Sequence, residues 1–458
     1  MASVTDAVLA GASPQDLERA ALPEEFTAAH LRVEDVDVFQ GVADKDVRKT
    51  LRVGPVPMPE LAPDEVLVAV MASSINYNTV WSATFEPLST FRFLGSYGRQ
   101  GGWAERHDQP FHVLGSDAAG VVVRTGSAVR HWKTGDHVLV NAAVIDEQEA
   151  ITQSDGMLGE HQLAWGYETN YGGIAHYCLA RASQLIPKPA HLTWEEAASV
   201  PACAGTSYRM LVSDRGARMK QGDIVLIWGA TGGTGAYAVQ FVKNGGGTPV
   251  GVVGSARKAE ALRALGCDVV IDRSELGLGE WDGDSDDEVA QAITDGKRLG
   301  RAIRDATGED PHIVVDHVGQ ATFGMSVLAV RRGGTVITCG SSTGYRHRYD
   351  NRYLWMKLKR ILGSHVANLH EQWECARLFG QGRVMPALST LYPLDEVGEA
   401  TRLVQLNEHI GKVGVLCLAP EPGLGVTDPE LRARIGEERL NPLRPFATPG
   451  PGALAVTA

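Results

Sequence analysis

A chain of 458 residues with 44% hydrophobic and 21% charged residues is long enough to form two or more domains with their own cores. The formal net charge of −12 argues against nucleic acid as the main partner, although a local cationic pocket could still hold an anionic substrate. The six cysteines are scattered, which argues against a disulfide framework or a structural zinc site. Because there is no signal pattern and no apolar run of membrane-spanning length, we expect a cytoplasmic protein without a membrane partner.

The first 208 residues are predicted to form a β-rich domain. Short runs of apolar and β-branched residues recur between residues 33 and 180, with glycine, proline and aspartate between them. Residues 71–87 differ from this pattern because they combine Asn76 and Asn78 with three aromatic side chains. That mixture suits the wall of a pocket better than a surface loop or a core strand.

A strand, a glycine-rich turn and a helix are predicted over residues 224–242. The run Ile-Val-Leu-Ile-Trp is typical of a strand buried on both faces, and Gly-Ala-Thr-Gly-Gly-Thr-Gly follows it before apolar residues at helical spacing. Glycine allows the backbone to approach a pyrophosphate and a helix to pack closely on a strand. The pattern predicts an anion site at a helix N-terminus, although a tight loop without a ligand has a similar signature. The residues assigned to this site are Gly229, Thr231, Gly232, Gly233 and Gly235.

The residues after the next predicted strand indicate which nucleotide binds. In a dinucleotide fold, an acidic residue at this place accepts a hydrogen bond from the adenosine 2′-hydroxyl. This chain instead has Ser255, Arg257 and Lys258. A hydroxyl and two cations favour a 2′-phosphate, and therefore NADPH over NADH. The alternative interpretation is a helix that simply begins with two exposed basic residues.

Three further strands, separated by helical segments, are predicted at residues 268–271, 313–316 and 335–339. They indicate a doubly wound parallel sheet within residues 209–363, and Cys339 at the end of the last strand is also assigned to the cofactor site. Residues 364–458 are predicted to return to the first domain, to form a strand near 413–418 and to end in a loose tail from residue 442.

This α/β organisation resembles the medium-chain dehydrogenases/reductases, in which a Rossmann fold is inserted in a GroES-like β-rich catalytic domain. Zinc-dependent members of that superfamily have Gly-His-Glu where residues 115–117 of this chain are Gly-Ser-Asp. They also have a cysteine-rich lobe that this sequence lacks. The resemblance therefore implies a reductase without a metal.

Within that superfamily, the chain is similar to the crotonyl-CoA carboxylase/reductases. The resemblance is carried by residues 73–81 (Ser-Ser-Ile-Asn-Tyr-Asn-Thr-Val-Trp), 165–173 (Trp-Gly-Tyr-Glu-Thr-Asn-Tyr-Gly-Gly), 349–355 (Tyr-Asp-Asn-Arg-Tyr-Leu-Trp) and 363–365 (Gly-Ser-His). It implies reductive carboxylation, in which NADPH delivers hydride to C3 of a 2-enoyl-CoA and CO2 joins C2. The product, an alkylmalonyl-CoA, would supply polyketide extender units or carbon assimilation, and the family implies a homotetramer.

The residues that hold CO2 in that family correspond to Asn78, Tyr167, Glu168 and His365, with Tyr167 in a position that is usually Phe. An amide donor at Asn78 can fix one CO2 oxygen, while Glu168 and His365 can order a water molecule at the other. Exclusion of loose proton donors then favours carboxylation over protonation. Taken alone, Glu168 could be a buried structural carboxylate and His365 a hydrogen-bonded core histidine.

Residues 346–360 contain a cluster of basic side chains, from which we assign Arg352 and the adjacent Tyr353 to substrate binding. Because coenzyme A carries several phosphate groups, the cluster could bind the CoA moiety, although a subunit partner or an ordinary exposed face would also explain it. Two other functions are kept open. One is an NADPH-dependent enoyl-CoA reductase that protonates C2, and the other is a non-catalytic NADPH-binding protein.

Overall fold

The structure is a computed structural model that describes residues 3–279, 285–448 and 450–455. The described residues form two compact units. The first unit contains the residues up to 202, residues 367–382 and the residues from 386 onward, while the second contains residues 203–366 and 383–385. The limits predicted from the sequence for the inserted domain, 209 and 363, fall inside the second unit.

The strands follow one another along the chain in this order: β1 (Glu25–Arg32), β2 (Arg52–Pro57), β3 (Glu65–Ser74), β4 (Phe111–Val113), β5 (Ala119–Thr125), β6 (His137–Val140), β7 (Ala143–Val144), β8 (Leu163–Ala164), β9 (Tyr177–Arg181), β10 (Leu185–Pro187), β11 (Ile224–Ile227), β12 (Thr248–Val253), β13 (Val269–Asp272), β14 (Ile313–Val315), β15 (Thr335–Thr338), β16 (Arg360–Gly363), β17 (Leu388–Pro393) and β18 (Lys412–Leu416).

The α-helices are α1 (Val4–Leu9), α2 (Pro14–Arg19), α3 (Tyr77–Thr84), α4 (Thr90–Gly98), α5 (Trp194–Ala198), α6 (Pro201–Leu211), α7 (Gly233–Asn244), α8 (Ala256–Ala264), α9 (Asp286–Thr307), α10 (Phe323–Ala329), α11 (Asn351–Trp355), α12 (Leu369–Gly380), α13 (Val397–Gln405), α14 (Pro429–Ile435) and α15 (Glu437–Leu440). Among the described residues, none of the helices combines the length and the apolar character needed to cross a membrane.

The first unit is organised around β3, whose ten residues are all buried. The main sheet has the strand order β10-β6-β5-β3-β18-β17, and β9 also pairs with β3. Because β18 runs antiparallel to β3 and pairs Gly414 with Ser74, the C-terminal part of the chain completes the sheet that the N-terminal part begins. The strand predicted near residues 413–418 is therefore confirmed as β18.

The second unit contains a parallel sheet with the order β13-β12-β11-β14-β15-β16. From β11 the chain first builds outward to β13 and then returns to place β14 on the other side of β11. The predicted doubly wound sheet is confirmed. In such a sheet, the carboxyl ends of the two strands at the reversal, here β11 and β14, form the crevice where a dinucleotide binds.

The loose tail predicted from residue 442 is wrong for its first residues. Leu440 and Leu443 are fully buried, and the backbone N–H of Leu454 donates to the carbonyl of Leu391 at 2.8 Å. Just before this tail, Arg432 reaches the buried Glu196 carboxylate at 2.7 Å. The buried Leu443 and the hydrogen bond of Leu454 therefore hold this segment to the first unit.

Candidate active site

Close backbone packing places residues 164–173 of the first unit directly on the segment that follows β4. A Cβ atom at Gly166 would lie 2.0 Å from the carbonyl oxygen of Gly115, and one at Gly172 would lie 2.6 Å from the same atom. Gly166 also has φ of +67°, which glycine adopts at little cost. The glycines in this motif therefore bring Tyr167 and Glu168 into the neighbourhood of Ser116.

Asn78 lies in the first turn of α3 and is half-buried. Its side-chain Nδ2 donates to Ser116 Oγ at 2.7 Å, and Ser116 Oγ donates to the carbonyl of Trp165 at 2.8 Å. These two bonds connect α3 with the segment that carries Tyr167 and Glu168. Ser116 was not predicted as a site residue. Residues 115–117 indicated only that the metal-ligand histidine of the zinc-dependent relatives is absent.

A buried ion pair anchors the residue that precedes α3. Lys412 Nζ lies 3.0 Å from Asp117 Oδ2, and the two side chains are 2% and 0% exposed. Asn76 Nδ2 donates to Asp117 Oδ2 at 2.7 Å, while Asn76 Oδ1 accepts from Lys412 at 2.6 Å. Ser74 adds a third bond to Asp117 Oδ2 at 2.6 Å. This network fixes the chain at the point where α3 begins.

Glu168 is a half-buried carboxyl group whose Oε2 accepts the backbone N–H of Ala164 at 2.7 Å. Burial raises the pKa of Glu168, and the hydrogen bond from Ala164 partly opposes that shift. The neighbouring Tyr167 packs through its ring, whose centroid lies 5.8 Å from that of Phe93. The first unit thus brings together Asn78, Tyr167 and Glu168, three of the four residues predicted to hold CO2.

The glycine-rich turn of the second unit has the geometry that a pyrophosphate requires. Gly229 has φ of +59°, and a Cβ atom at Gly235 would lie 2.3 Å from the carbonyl oxygen of Gly229. Gly232 caps α7, which starts at Gly233 and runs for 12 residues, and Thr231 lies buried in the turn. The helix N-terminus therefore supplies backbone N–H groups and a positive dipole end to an anion. These residues fit the pyrophosphate of NADPH.

The predicted 2′-phosphate residues lie at the start of α8. Ser255 caps this helix by accepting the backbone N–H of Lys258 at 3.4 Å, and Arg257 is in the first turn. Arg273 lies close to these residues. Its Nε is 3.3 Å from the position that a Cβ of Gly254 would occupy, and Gly254 directly precedes Ser255. Arg273 was not predicted from the sequence. The signal was available in principle, since a residue that follows β13 must lie beside a residue that follows the adjacent parallel strand β12.

Cys339 and His317 lie just beyond the carboxyl ends of β15 and β14. Burial, and to a lesser extent the neighbouring Cys203, raises the pKa of Cys339 to about 12, so the thiol is protonated at neutral pH. The ring of His317 lies against the glycine-rich turn, with Cε1 2.9 Å from the position of a Cβ at Gly229. His317 was also missed, because an isolated histidine after a predicted strand carries no distinctive pattern.

His365, the fourth residue predicted to hold CO2, belongs to the loop after β16 in the second unit. His365 is an exposed residue, but nearby protein atoms remove part of the hydration of its side chain. This desolvation, followed by repulsion from Arg209, lowers the pKa of the imidazole. His365 is therefore predominantly neutral at pH 7.

Arg352 and Tyr353 lie on α11 in the second unit. The guanidinium of Arg352 forms an ion pair with Asp350 at 2.6 Å, and 74% of its side chain is exposed. Their assignment to substrate binding stays a prediction. Over the residues that the structure describes, no group of three or more His, Cys, Asp or Glu side chains is arranged to hold a metal ion.

Two family models match the chain. The model described as alcohol dehydrogenase GroES-like domain matches residues 62–190, and that described as zinc-binding dehydrogenase matches residues 233–379. The crotonyl-CoA reductase of Streptomyces collinus is 50% identical over 426 residues, which cover 92% of this chain and 94% of that protein. The crotonyl-CoA carboxylase/reductase of Cereibacter sphaeroides is 36% identical over 381 residues, which cover 82% and 86%.

Solved structures extend these similarities. The 2-octenoyl-CoA carboxylase reductase in complex with NADP and 2-octenoyl-CoA has 65% sequence identity and a TM-score of 0.94, with coverage of 97% of this chain and 99% of that chain. A crotonyl-CoA carboxylase/reductase in complex with NADP has 35% identity and a TM-score of 0.78, with coverage of 88% and 96%.

Proposed function

The chain belongs to the crotonyl-CoA carboxylase/reductase family, and from that premise we propose that it carboxylates a medium-chain 2-enoyl-CoA such as 2-octenoyl-CoA. Membership of the family makes it an NADPH-dependent enoyl-CoA carboxylase/reductase. The observation that supports the medium chain is the 65% identity, over 97% of this chain, with a 2-octenoyl-CoA carboxylase reductase. The crotonyl-CoA reductase of Streptomyces collinus is 50% identical. A cytoplasmic homotetramer, expected from the sequence and its resemblance, belongs to the same proposal.

The reaction adds a hydride and CO2 across one double bond. NADPH, when bound, supplies the hydride to C3 of the enoyl thioester, and the electron pair left at C2 then attacks the carbon of CO2. The products are NADP⁺ and an alkylmalonyl-CoA, so one C–H bond and one C–C bond form as the double bond is lost. The task left to the side chains is to hold CO2 beside C2 and to keep protons away from it.

Asn78 is suited to hold one oxygen of CO2. One of its two amide N–H groups is used by Ser116, which leaves the second N–H as a donor. The developing carboxylate gains negative charge on its oxygens, so a hydrogen bond from this N–H strengthens as the C–C bond forms. The family resemblance also assigns Glu168 and His365 to a water molecule at the other oxygen, and Tyr167 directly precedes Glu168 in the sequence.

Hydrogen bonds in the first unit restrict the groups that could protonate C2 in competition with carboxylation. The single proton of Ser116 is committed to the carbonyl of Trp165. The backbone N–H of Ala164 holds one oxygen of Glu168, which restricts where that carboxyl group can present a proton. A carbanion formed in this environment therefore meets CO2 more readily than a mobile acid.

We expect a higher kcat/KM for 2-octenoyl-CoA than for crotonyl-CoA, measured as NADPH oxidation at saturating bicarbonate. Four additional methylene groups, each worth about 0.8 kcal/mol when buried, allow a preference on the order of 100-fold. Octanoyl-CoA, which has no double bond to reduce, is the control for oxidation unrelated to turnover. A kcat/KM for crotonyl-CoA equal to or above that for 2-octenoyl-CoA would contradict the medium-chain assignment.

A further inference from the structure

We propose that Ser116 is a positioning residue that fixes the amide orientation of Asn78 and thereby controls how much product is carboxylated. The inference rests on the proposed role of Asn78. It goes further because it assigns a task to the serine that occupies the place of a metal-ligand histidine in the zinc-dependent relatives. The residues that carry it, Asn78, Ser116 and Trp165, all belong to the first unit.

The direction of the hydrogen bonds determines which face of the amide Asn78 presents. A serine hydroxyl has one proton, and a backbone carbonyl can only accept. The 2.8 Å bond to the Trp165 carbonyl therefore uses the proton of Ser116. Ser116 Oγ can therefore only accept a hydrogen bond from Asn78. The atom of Asn78 that lies 2.7 Å from Oγ must be the amide nitrogen and not the amide oxygen. Without Ser116, nothing in this pair of bonds would distinguish the two orientations of the amide.

Burial makes this arrangement difficult to replace with solvent. Ser116 is 2% exposed, so bulk water does not compete for either hydrogen bond. Loss of the hydroxyl would leave the Trp165 carbonyl without this donor and the Asn78 amide without this acceptor. The amide could then rotate, and its oxygen would face the developing carboxylate in part of the molecules. Two negative oxygens facing each other would disfavour the capture of CO2.

The main chain around Asn78 is held independently of Ser116. Asn76, two residues earlier, is bonded to Asp117 and Lys412 at 2.7 and 2.6 Å. The adjacent residues Ser116 and Asp117 therefore have separate tasks, because Asp117 holds the start of α3 and Ser116 holds one side chain on it. Loss of the Ser116 hydroxyl should consequently change the orientation of Asn78 without displacing the helix.

The test replaces Ser116 with Ala and measures both products, carboxylated and simply reduced, from 2-octenoyl-CoA over a range of bicarbonate concentrations. We expect the apparent KM for CO2 to rise about tenfold, the size of one oriented hydrogen bond, with the KM for NADPH unchanged. Ser82→Ala is the matched control. Ser82 lies one turn later on α3, is 1% exposed, and its hydroxyl has no partner within the described part of the chain.

Two further variants separate positioning from a general disturbance. Ser116→Thr retains the hydroxyl and should keep the product ratio near that of the unsubstituted enzyme, which also covers the case in which Ser116→Ala folds poorly. In an Asn78→Ala background, Ser116→Ala should change the product ratio no further, because the side chain through which it acts is gone.

The outcomes are distinct. An unchanged product ratio in Ser116→Ala would overturn the role of Ser116 while leaving the role of Asn78 intact. A product ratio that changes further when Ser116→Ala is added to Asn78→Ala would have the same meaning. A wild-type product ratio in Asn78→Ala alone would instead overturn the role proposed for Asn78.

Discussion

At the residue scale, we propose that selectivity for the nucleotide depends on cations that follow two neighbouring parallel strands, β12 and β13. Asp272 pairs with Val253, and the next residue, Arg273, donates its backbone N–H to Val253 at 2.9 Å. The Arg273 side chain then passes over Gly254, where the absence of a Cβ leaves room for the guanidinium. Arg257 and Lys258 follow Gly254 in sequence. Three cations therefore lie near the end of β12, where a 2′-phosphate is expected.

Replacing Arg273 with Ala should lower the ratio of kcat/KM for NADPH to that for NADH. A hydrogen bond to a charged group contributes about 1.5–3 kcal/mol, so we expect a 10- to 100-fold loss for NADPH with little change for NADH, which lacks the 2′-phosphate. Initial rates with both cofactors measure this ratio. Arg263→Ala, an exposed change in the last turn of α8, is the control. Equal losses for both cofactors would show that Arg273 acts on folding and not on the phosphate.

At the element scale, two buried histidines attach the segment around β4 to residues 169–171, directly after Glu168. His107 Nδ1 accepts the backbone N–H of Asn170 at 3.1 Å. His112 Nε2 lies 3.2 Å from the carbonyl of Thr169, which can only accept, so Nε2 carries the proton and Nδ1 accepts from Thr90 at 2.8 Å. Burial is the main cause that lowers the pKa of His107 to about 3 and that of His112 to about 4. Both rings are neutral in the folded protein.

This arrangement predicts a loss of stability in mild acid. Below pH 6.5 the unfolded chain binds protons at both histidines and the folded protein does not, so the free energy of unfolding falls as the pH falls toward about 4 for His112 and about 3 for His107. Between pH 6.5 and 5, each histidine contributes a loss of roughly 2 kcal/mol. His107→Gln keeps a neutral acceptor and should remove about half of this dependence.

Urea unfolding of the unsubstituted protein and His107→Gln at pH 5, 6.5 and 8 measures the effect. At pH 8 the histidines are neutral in both states, so the difference there gives the cost of the substitution without protonation. The gap between the two proteins should narrow by roughly 2 kcal/mol from pH 8 to pH 5. A constant gap would mean that His107 is not held neutral in the folded protein.

The elements with a regular sequence pattern could be predicted, whereas contacts between distant residues could not. The strand and helix on either side of the glycine-rich turn follow from apolar spacing, and β18 follows from its short apolar run. Ser116 and Asn78 are 38 residues apart, and their hydrogen bond depends on how the segment after β4 lies against α3. Similarly, the loose tail predicted from residue 442 is held by the buried Leu443 and by a hydrogen bond from Leu454 to Leu391, which the sequence pattern does not show.

At the scale of the whole molecule, the first unit is complete only when the C-terminal part of the chain has joined it. Lys412, at the start of β18, pairs with Asp117, which is 295 residues earlier. That pair holds Asn76, and through it the start of the helix that carries Asn78. The inserted second unit carries the glycine-rich turn and the cations assigned to NADPH. The residues proposed for CO2 come from both units, with Asn78 and Glu168 in the first and His365 in the second, whereas the residues assigned to NADPH all belong to the second.

The most direct test of reductive carboxylation is to identify the product formed from 2-octenoyl-CoA, NADPH and ¹³C-labelled bicarbonate by mass spectrometry. We expect a product heavier than octanoyl-CoA by one labelled CO2, formed with one NADPH oxidised for each CO2 incorporated. Octanoyl-CoA alone, formed at saturating bicarbonate with the same consumption of NADPH, would contradict carboxylation and identify a simple enoyl-CoA reductase.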